Sequence, residues 1–118
     1  MNMREFSAQS GLSAHTLRYY EKIGLLPGIQ RNASGHRAFT SRDLEWVNFI
    51  VRLKDTGMSL DNILAYSKLR AAGDSTLGRR QHILEEHRDA LKTRIETEQL
   101  HLKALEAKIT HYRSLKAP

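Results

Sequence analysis

Apolar residues recur at helical spacing in two short segments at the start of the chain. Asn2 followed by Glu5 has the spacing of a capping box, which predicts a helix over residues 3–10. Ser13 can cap a second helix that runs to about Ile23, and a glycine follows each helix. The turn SGLS joins the two. This arrangement predicts a helix-turn-helix with the second helix in the recognition position.

The helical period breaks over residues 25–40 and then resumes. This stretch, LLPGIQRNASGHRAFT, has the turn-forming NASG between two short segments. It predicts a small β-hairpin, which is the wing of a winged helix-turn-helix. Thr40 and Asp43 have capping-box spacing and open a third helix that ends near Thr56. Ser59 can cap a fourth helix.

The third predicted helix is apolar on more than one side. Its two stripes are Leu44, Val47, Ile50 and Val51 on one side, and Trp46, Phe49 and Leu53 on the other. One stripe can close a small core. The second needs cover from another element of the chain or from a partner chain.

A single long helix is predicted from residue 76 to about residue 115. This segment has no proline and, beyond Gly78, no glycine. Roughly 40 helical residues reach about 60 Å, which is too long to fold onto so small a domain.

The long helix has an apolar seam in alternating steps of three and four residues. Seven of the nine seam positions are apolar: Leu84, Arg88, Leu91, Ile95, Glu98, Leu102, Leu105, Ile109 and Tyr112. A seam over four heptads favours a coiled coil between two chains over a lone amphipathic helix packed on its own domain. The expected organisation is a DNA-binding domain with two supporting helices over residues 1–73. A linker and a long coiled-coil dimerisation helix follow over residues 74–118.

Charge and composition narrow the class of partner. The net charge is +6 and the isoelectric point is near 9.9. Residues 1–40 hold five Lys/Arg against two Asp/Glu, which suits a polyanion. No apolar run is long enough for a membrane span, and the start MNMREFSAQSG lacks a secretory apolar region. We therefore expect a cytoplasmic protein without a membrane partner.

Little in the sequence supports catalysis, a metal or a cofactor. There is no phosphate-binding glycine loop, no nucleophile–base pattern and no cluster of carboxylates. The chain has no cysteine, which excludes thiolate sites. Its six histidines do not have the spacing of one tetrahedral site within a chain: His15, His36, His82, His87, His101 and His111. We expect no enzyme, no metal and no cofactor.

The second predicted helix, within SAHTLRYYEKIGLL, has an unusual outer face. His15, Arg18, Tyr19 and Lys22 recur at i, i+3, i+4 and i+7, opposite the apolar side. Such a face is either ordinary solvated surface or a surface that meets phosphates and base edges.

Three segments carry a resemblance to a known family. SGLSAHTLRYYEKIGLLP (10–27), SGHRAFT (34–40) and LKDTGMSLDNI (53–63) resemble the MerR family of bacterial transcription regulators, and the likeness covers essentially the whole chain. DTGMSL, GDSTL and EEHR are most similar to the small subgroup associated with aldehyde and electrophile stress, although this chain lacks the cysteine expected there.

The resemblance implies a mainly α fold and a mechanism. It implies a winged helix-turn-helix followed by a long helix that pairs as an antiparallel coiled coil in a homodimer. The dimer is expected on a palindrome in a promoter whose spacer is too long for RNA polymerase. Distortion of that DNA then realigns the promoter elements, so polymerase is an indirect partner. Larger relatives have a drug-binding domain beyond the coiled coil, and none is expected here.

The resemblance also implies DNA contacts at eight positions: Ser13, His15, Thr16, Arg18, Tyr19, His36, Arg37 and Lys54. Arg18 maps to a groove contact, and Tyr19 and Lys54 map to phosphate contacts. His36 and Phe39 replace common tyrosines, so no hydroxyl contact is expected there. Other roles remain open: a salt bridge of Arg18 with Glu21, capping at the helix start, stabilisation of the turn by Arg37, and solvation of Lys54.

Any signal must act without thiol chemistry in this chain. A small effector is expected between the DNA-binding domain and the dimerisation helix. The candidate lining residues are Trp46, Phe49, Leu53 and Tyr66, although ordinary core packing would also explain apolar residues at these positions. Two rival classes remain. One is an effector-independent architectural or excisionase-like DNA-binding protein. The other is a coiled-coil interaction protein whose basic charge is incidental, but this class does not explain TLRYYEKIGLL.

Overall fold

A computed structural model of the protein describes residues 1–116. The elements in chain order are α1 (Met3–Ser10), α2 (Ala14–Lys22), β1 (Gln30–Arg31), β2 (Arg37–Ala38), α3 (Ser41–Asp55), α4 (Leu60–Ala72), a 3-10 turn (Asp74–Thr76) and α5 (Leu77–Lys116). β1 and β2 pair antiparallel with Gln30 opposite Ala38, and they form the wing. The predicted winged helix-turn-helix, two supporting helices and long final helix are confirmed.

Side-chain caps set the helix starts where the sequence predicts them. The backbone N–H of Glu5 donates to Asn2 Oδ1 at 2.8 Å, and the N–H of Asn2 donates to Glu5 Oε1 at 3.2 Å. Thr40 and Asp43 form the same reciprocal box at the start of α3. Each box satisfies amide groups that the first turn of a helix leaves without partners. Gly11 ends α1 at φ +75°, a conformation that other residues rarely adopt.

The core lies in a compact unit formed by Met1–Ile83. Phe6 of α1 stacks on Phe39 beyond the wing, with ring centroids 4.1 Å apart and an interplanar angle of 4°. Helices α1 to α4 and the segments after α2, after β2 and after α3 contribute buried apolar residues. Among them are Phe6, Leu17, Tyr20, Leu25, Leu26, Phe39, Val47, Ile50, Met58 and Ile63. This shared core holds the recognition helix and anchors Phe39 at the base of the wing, and the strands of the wing themselves lie outside it.

The second apolar stripe of α3 is largely covered within the same chain. Trp46 is buried under Tyr66 of α4, with ring centroids 5.8 Å apart, and its Nε1 donates to the carbonyl oxygen of Leu25 at 2.7 Å. Leu53 is also buried, whereas Phe49 is half-buried. Of the two sources of cover that the sequence leaves open, another element of the chain therefore supplies most of it.

The polar segment between α4 and α5 is an ordered corner. Thr76 is buried, and its hydroxyl lies 2.6 Å from the carbonyl oxygen of Leu69 and 2.7 Å from that of Gly73. The Nε of Arg80 donates to the same hydroxyl at 3.0 Å. Compact packing continues to Ile83. The functional boundary between residues 73 and 74 stays a prediction.

The second unit begins at Leu84 and is helical throughout its described residues. Between Arg88 and Lys116 only Leu91 is partly covered, and the rest are exposed. The exposed residues include most of the apolar seam, with Ile95 at 49%, Leu105 at 63% and Tyr112 at 54% exposure. No helix within residues 1–116 combines the length and apolar character that crossing a membrane requires.

Candidate nucleic-acid interface

The outer face of α2 is presented to solvent as its periodicity predicts. Leu17 and Tyr20 are buried on the inner side. His15, Arg18 and Lys22 are exposed, and Tyr19 is 47% exposed. Arg18 makes no hydrogen bond or ion pair within residues 1–116, so its guanidinium is available to a partner. The alternative salt bridge between Arg18 and Glu21 is not formed.

Glu21 instead connects α2 to the wing. Its Oε1 accepts hydrogen bonds from Arg37 Nε at 3.1 Å and Nη2 at 3.0 Å. Arg31 Nη2 lies 4.0 Å from the same oxygen. The side chains of Glu21 and Arg37 are each about three-quarters covered. We call this arrangement the Glu21 clamp, and it sets the wing against the recognition helix.

The turn of the wing is held by its own short contacts. Asn32 Oδ1 accepts from the backbone N–H of Ser34 at 3.0 Å and of His36 at 3.1 Å. Arg31 Nη1 donates to the carbonyl oxygen of Gly35 at 3.0 Å, and Gly35 adopts φ +80°. These contacts pre-organise the wing, and they leave the imidazole of His36 exposed.

Basic side chains from three segments line one concavity of about 330 Å³. Its residues come from the start of α1, from α2 and from the wing: Asn2, Met3, Arg4, Arg18, Arg31, His36 and Arg37. We call it the basic concavity. Four guanidinium groups with only Glu21 as a paired carboxylate make it attractive to phosphate, which guanidinium binds bidentately.

The basic concavity unites three predicted DNA-contact residues and adds two that the sequence did not single out. Arg18, His36 and Arg37 were predicted, whereas Arg4 and Arg31 were not. No local pattern marks Arg4, because its role depends on how α1 approaches α2. Arg31 lies in the predicted hairpin, and its basic charge beside the wing turn was the available signal.

The other predicted contact residues lie outside the basic concavity. Ser13 caps α2 by accepting from the N–H of Thr16 at 3.1 Å, and its hydroxyl donates to Thr16 Oγ1 at 3.0 Å. His15 is exposed in the first turn beside them. Capping explains Ser13 fully, and an additional DNA contact there stays a prediction.

Lys54 is attached to the recognition helix from the end of α3. Its Nζ donates to the Tyr20 hydroxyl at 2.8 Å and lies 5.4 Å from the centre of that ring. The lysine is exposed, and an ammonium has three donors. Lys54 therefore holds a defined position beside α2 and retains donors for a phosphate.

The predicted effector residues are only partly assembled. The rings of Trp46, Phe49 and Tyr66 form one cluster, with centroid distances between 5.8 and 6.3 Å. All three line a depression of about 270 Å³. Leu53 is 3% exposed and belongs to the core instead. Within the described part of the chain, no group of three His, Cys, Asp or Glu residues is placed to hold a metal ion.

Fold and site together define a winged helix-turn-helix DNA-binding protein, and comparison with known proteins gives its family. The model described as MerR HTH family regulatory protein matches residues 1–68, and the model described as MerR, DNA binding matches residues 44–107. The chain belongs to the MerR family of DNA-binding transcription regulators.

Two relatives show how far the likeness extends. An uncharacterized HTH-type transcriptional regulator of Haemophilus influenzae is 39% identical, over 91% of this chain and 79% of that protein. The HTH-type transcriptional regulator AdhR of Bacillus subtilis is 38% identical, over 77% of this chain and 65% of AdhR. These relatives are transcription regulators and not enzymes, and the same holds for this chain.

Solved structures support the same assignment. A MerR family transcriptional regulator from Listeria monocytogenes superposes with a TM-score of 0.90 at 42% identity, over 96% of this chain and 86% of that one. HiNmlR, a MerR family regulator lacking the sensor domain and bound to promoter DNA, superposes with a TM-score of 0.86 at 35% identity, over 98% and 92%.

Substitutions at Arg18 and Tyr19 test whether the exposed face of α2 contacts DNA. Arg18→Ala should weaken binding to an operator selected from random duplexes by about 1–3 kcal/mol per half-site and relax sequence preference, because a guanidinium reads base edges. Tyr19→Phe should weaken operator and scrambled DNA alike, since phosphate contacts carry no sequence information. Fluorescence anisotropy measures both, with Arg79→Ala as an exposed control. Parent-like binding by both variants would show that another surface enters the groove.

Proposed function

We propose that this MerR family regulator acts in the cytoplasm as a homodimer on a palindromic promoter site. It controls transcription by distorting the spacer between the promoter elements in response to a signal. RNA polymerase is affected indirectly, through the shape of the DNA.

The observation that carries the proposal is the uncovered seam of α5. Ile95, Leu102, Leu105, Ile109 and Tyr112 are each about half or more exposed in the single chain. They lie on a helix of 40 residues, which is about 60 Å long. A row of apolar side chains this long is the feature that a second copy buries in a coiled coil.

The size of the reading surface also favours two copies. One chain presents the single face of α2, the wing and Lys54. Such a small module makes few base contacts, and specific affinity rises when two modules bind together. A two-fold symmetric dimer reads two half-sites related by the same symmetry, so the operator is a palindrome.

Polar residues in the seam favour an antiparallel pair. In a parallel pair Arg88 would face Arg88 and Glu98 would face Glu98, and like charges in a buried layer are unfavourable. In an antiparallel pair with its axis near residue 93, Arg88 of one chain meets Glu98 of the other, and Leu84 lies opposite Leu102. A register centred nearer residue 100 would align more apolar layers and set Arg88 beside Tyr112.

The contacts of Arg88 within the chain are compatible with this register. Arg88 Nε donates to Asp89 Oδ1 at 3.0 Å, Nη2 lies 3.0 Å from the same oxygen, and both side chains are about two-thirds exposed. An exposed ion pair contributes little to stability, so Arg88 can exchange it for a partner in the dimer.

Charge exchange tests the dimer and its register. Arg88→Glu alone should raise the dimer dissociation constant about tenfold or more, because it places two carboxylates together. Adding Glu98→Arg should restore the parent value. Sedimentation equilibrium measures the constant, and Lys92→Glu, an exposed change beside the seam, is the matched control. A double variant no better than the single one would contradict this register, and a monomeric parent at micromolar concentration would contradict the dimer.

Action through DNA shape is supported by the family and by one relative. HiNmlR, which shares the fold, is bound to promoter DNA. Bending or untwisting a DNA site of about 20–30 base pairs requires a few kcal/mol, which protein contacts at two half-sites can supply. An effector-independent architectural protein of the excisionase-like kind would share the reading module, and is the alternative.

Spacer length separates the two functions. Each base pair removed from the spacer rotates the promoter elements by about 35°. Transcription in vitro should require the protein at the natural spacer length and become independent of it when the spacer is trimmed in single steps. An architectural protein would leave a footprint whose effect on transcription is the same at every spacer length. That outcome would contradict the proposed mechanism.

A further inference from the structure

A second cationic site lies away from the basic concavity, over the aromatic cluster. The depression of about 270 Å³ is formed by α3, α4 and the first turns of α5, all within the unit Met1–Ile83. Its lining combines three arginines, three aromatic residues and one carboxylate: Arg42, Arg70, Arg80, Trp46, Phe49, Tyr66 and Glu45. Three guanidinium groups against a single carboxylate leave the depression with an excess of positive charge.

The guanidinium group of Arg42 has no partner to account for its position. It makes no hydrogen bond or ion pair within residues 1–116, and its side chain is exposed. Arg42 also lies in the first turn of α3, where the helix dipole disfavours a cation. Asp43 in the same turn offsets part of this effect, and an anion at the depression would offset more of it.

Arg70 is held over the base of the depression. Its Cζ lies 4.4 Å from the centre of the Trp46 ring, and its side chain is half-buried. Partial burial lowers the pKa of Arg70 below its ordinary value, and repulsion from Arg42 lowers it further, against the opposing influence of Asp43 and Tyr66. The charges of Arg42 and Arg70 thus repel each other in the free protein.

The base of the depression is apolar and aromatic. Trp46 and Tyr66 are stacked at 5.8 Å with an interplanar angle of 14°, and half-buried Phe49 packs against both. Trp46 and Tyr66 are 6% and 9% exposed, so half-buried Phe49 presents most of the ring surface, and charged side chains form the rest of the lining. The volume admits a molecule of about the size of one substituted ring.

We propose that this depression binds a small organic anion. The apolar body packs on the aromatic base, and its carboxylate or phosphate group bridges Arg42 and Arg70. The proposal names the chemical class of the signal in the proposed function and rests on that function for its regulatory meaning. Binding itself requires only residues of the first compact unit.

Arg80 connects this site to the corner before α5. Its Nε donates to Thr76 Oγ1 at 3.0 Å, and its Nη2 donates to the carbonyl oxygen of Gly73 at 3.3 Å. An anion that also reaches Arg80 acts on the hydrogen bonds that order the corner. Ligand binding and the setting of the first turn of α5 are therefore linked.

Trp46 is the single tryptophan of the chain and reports directly on the site. The full-length protein is titrated at constant ionic strength with benzoate, phenyl phosphate and benzyl alcohol. We expect saturable changes in fluorescence with one or both anions, and at least tenfold weaker binding of the neutral alcohol. Benzoate alone would indicate carboxylate selectivity, and phenyl phosphate alone would indicate phosphate selectivity.

Two matched variants locate the binding. Arg42→Gln should weaken binding of the anion by roughly tenfold, as expected for the loss of one exposed charge-assisted hydrogen bond. Arg52→Gln, the same change at an exposed site nearer the other end of α3, should bind like the parent. Because Arg42 makes no hydrogen bond or ion pair within the described chain and is repelled by Arg70, its replacement should leave the thermal unfolding midpoint unchanged or slightly higher.

Four results would overturn the proposal, and three of them are binding measurements. They are the absence of a saturable response to either anion, equal binding of benzyl alcohol, and parent-like binding by Arg42→Gln. An Arg42→Gln variant that dissociates the dimer would assign the depression to a subunit contact and would also overturn it. Operator binding without any anion, measured in parallel, shows whether the proposed DNA-binding function stands regardless.

Discussion

The arrangement of the DNA-binding surface depends on one partly buried ion pair, the Glu21 clamp between α2 and the wing. A carboxylate on the recognition helix accepts two hydrogen bonds from Arg37 of the wing, at 3.0 and 3.1 Å. The wing is only two short strands, too small to hold its position by its own pairing. With the clamp in place, guanidinium groups of α1, α2 and the wing line one concavity. Without it, Arg18 would lose the alignment of its neighbours.

The first compact unit is complete in itself, whereas α5 is not. Residues up to Ile83 share a core, and within the described chain the buried polar side-chain atoms have hydrogen-bond partners. From Arg88 onward the helix exposes its apolar seam. In the proposed function, the first unit reads DNA and the long helix pairs two such units. The corner at Thr76 and Arg80 lies where the two tasks meet along the chain, next to the proposed anion site.

Features that depend on local sequence were predictable. Asn2, Ser13, Thr40 and Ser59 cap helices α1 to α4 at the positions that their side chains indicate, because capping needs only residues within one turn. The wing and the apolar seam likewise follow from short-range patterns. Contacts between distant segments were not predictable, because no periodicity records which faces meet. The approach of Arg4 to the wing, the bond from Lys54 to Tyr20 and the arginines around Trp46 all belong to this class.

The affinity of a Glu21→Gln variant for operator and for scrambled DNA, measured by anisotropy at several salt concentrations, tests the clamp most directly. Coulomb attraction alone predicts that removing a carboxylate beside DNA strengthens both complexes. We expect the ratio of operator to scrambled affinity to fall about tenfold or more, because the neutral amide oxygen loses the ion-pair attraction for Arg37 and holds the strands of the wing against α2 only weakly. Glu106→Gln, which removes an exposed charge from α5, is the control and should preserve the ratio. An unchanged ratio in Glu21→Gln, or tighter operator binding, would contradict the central role of the clamp.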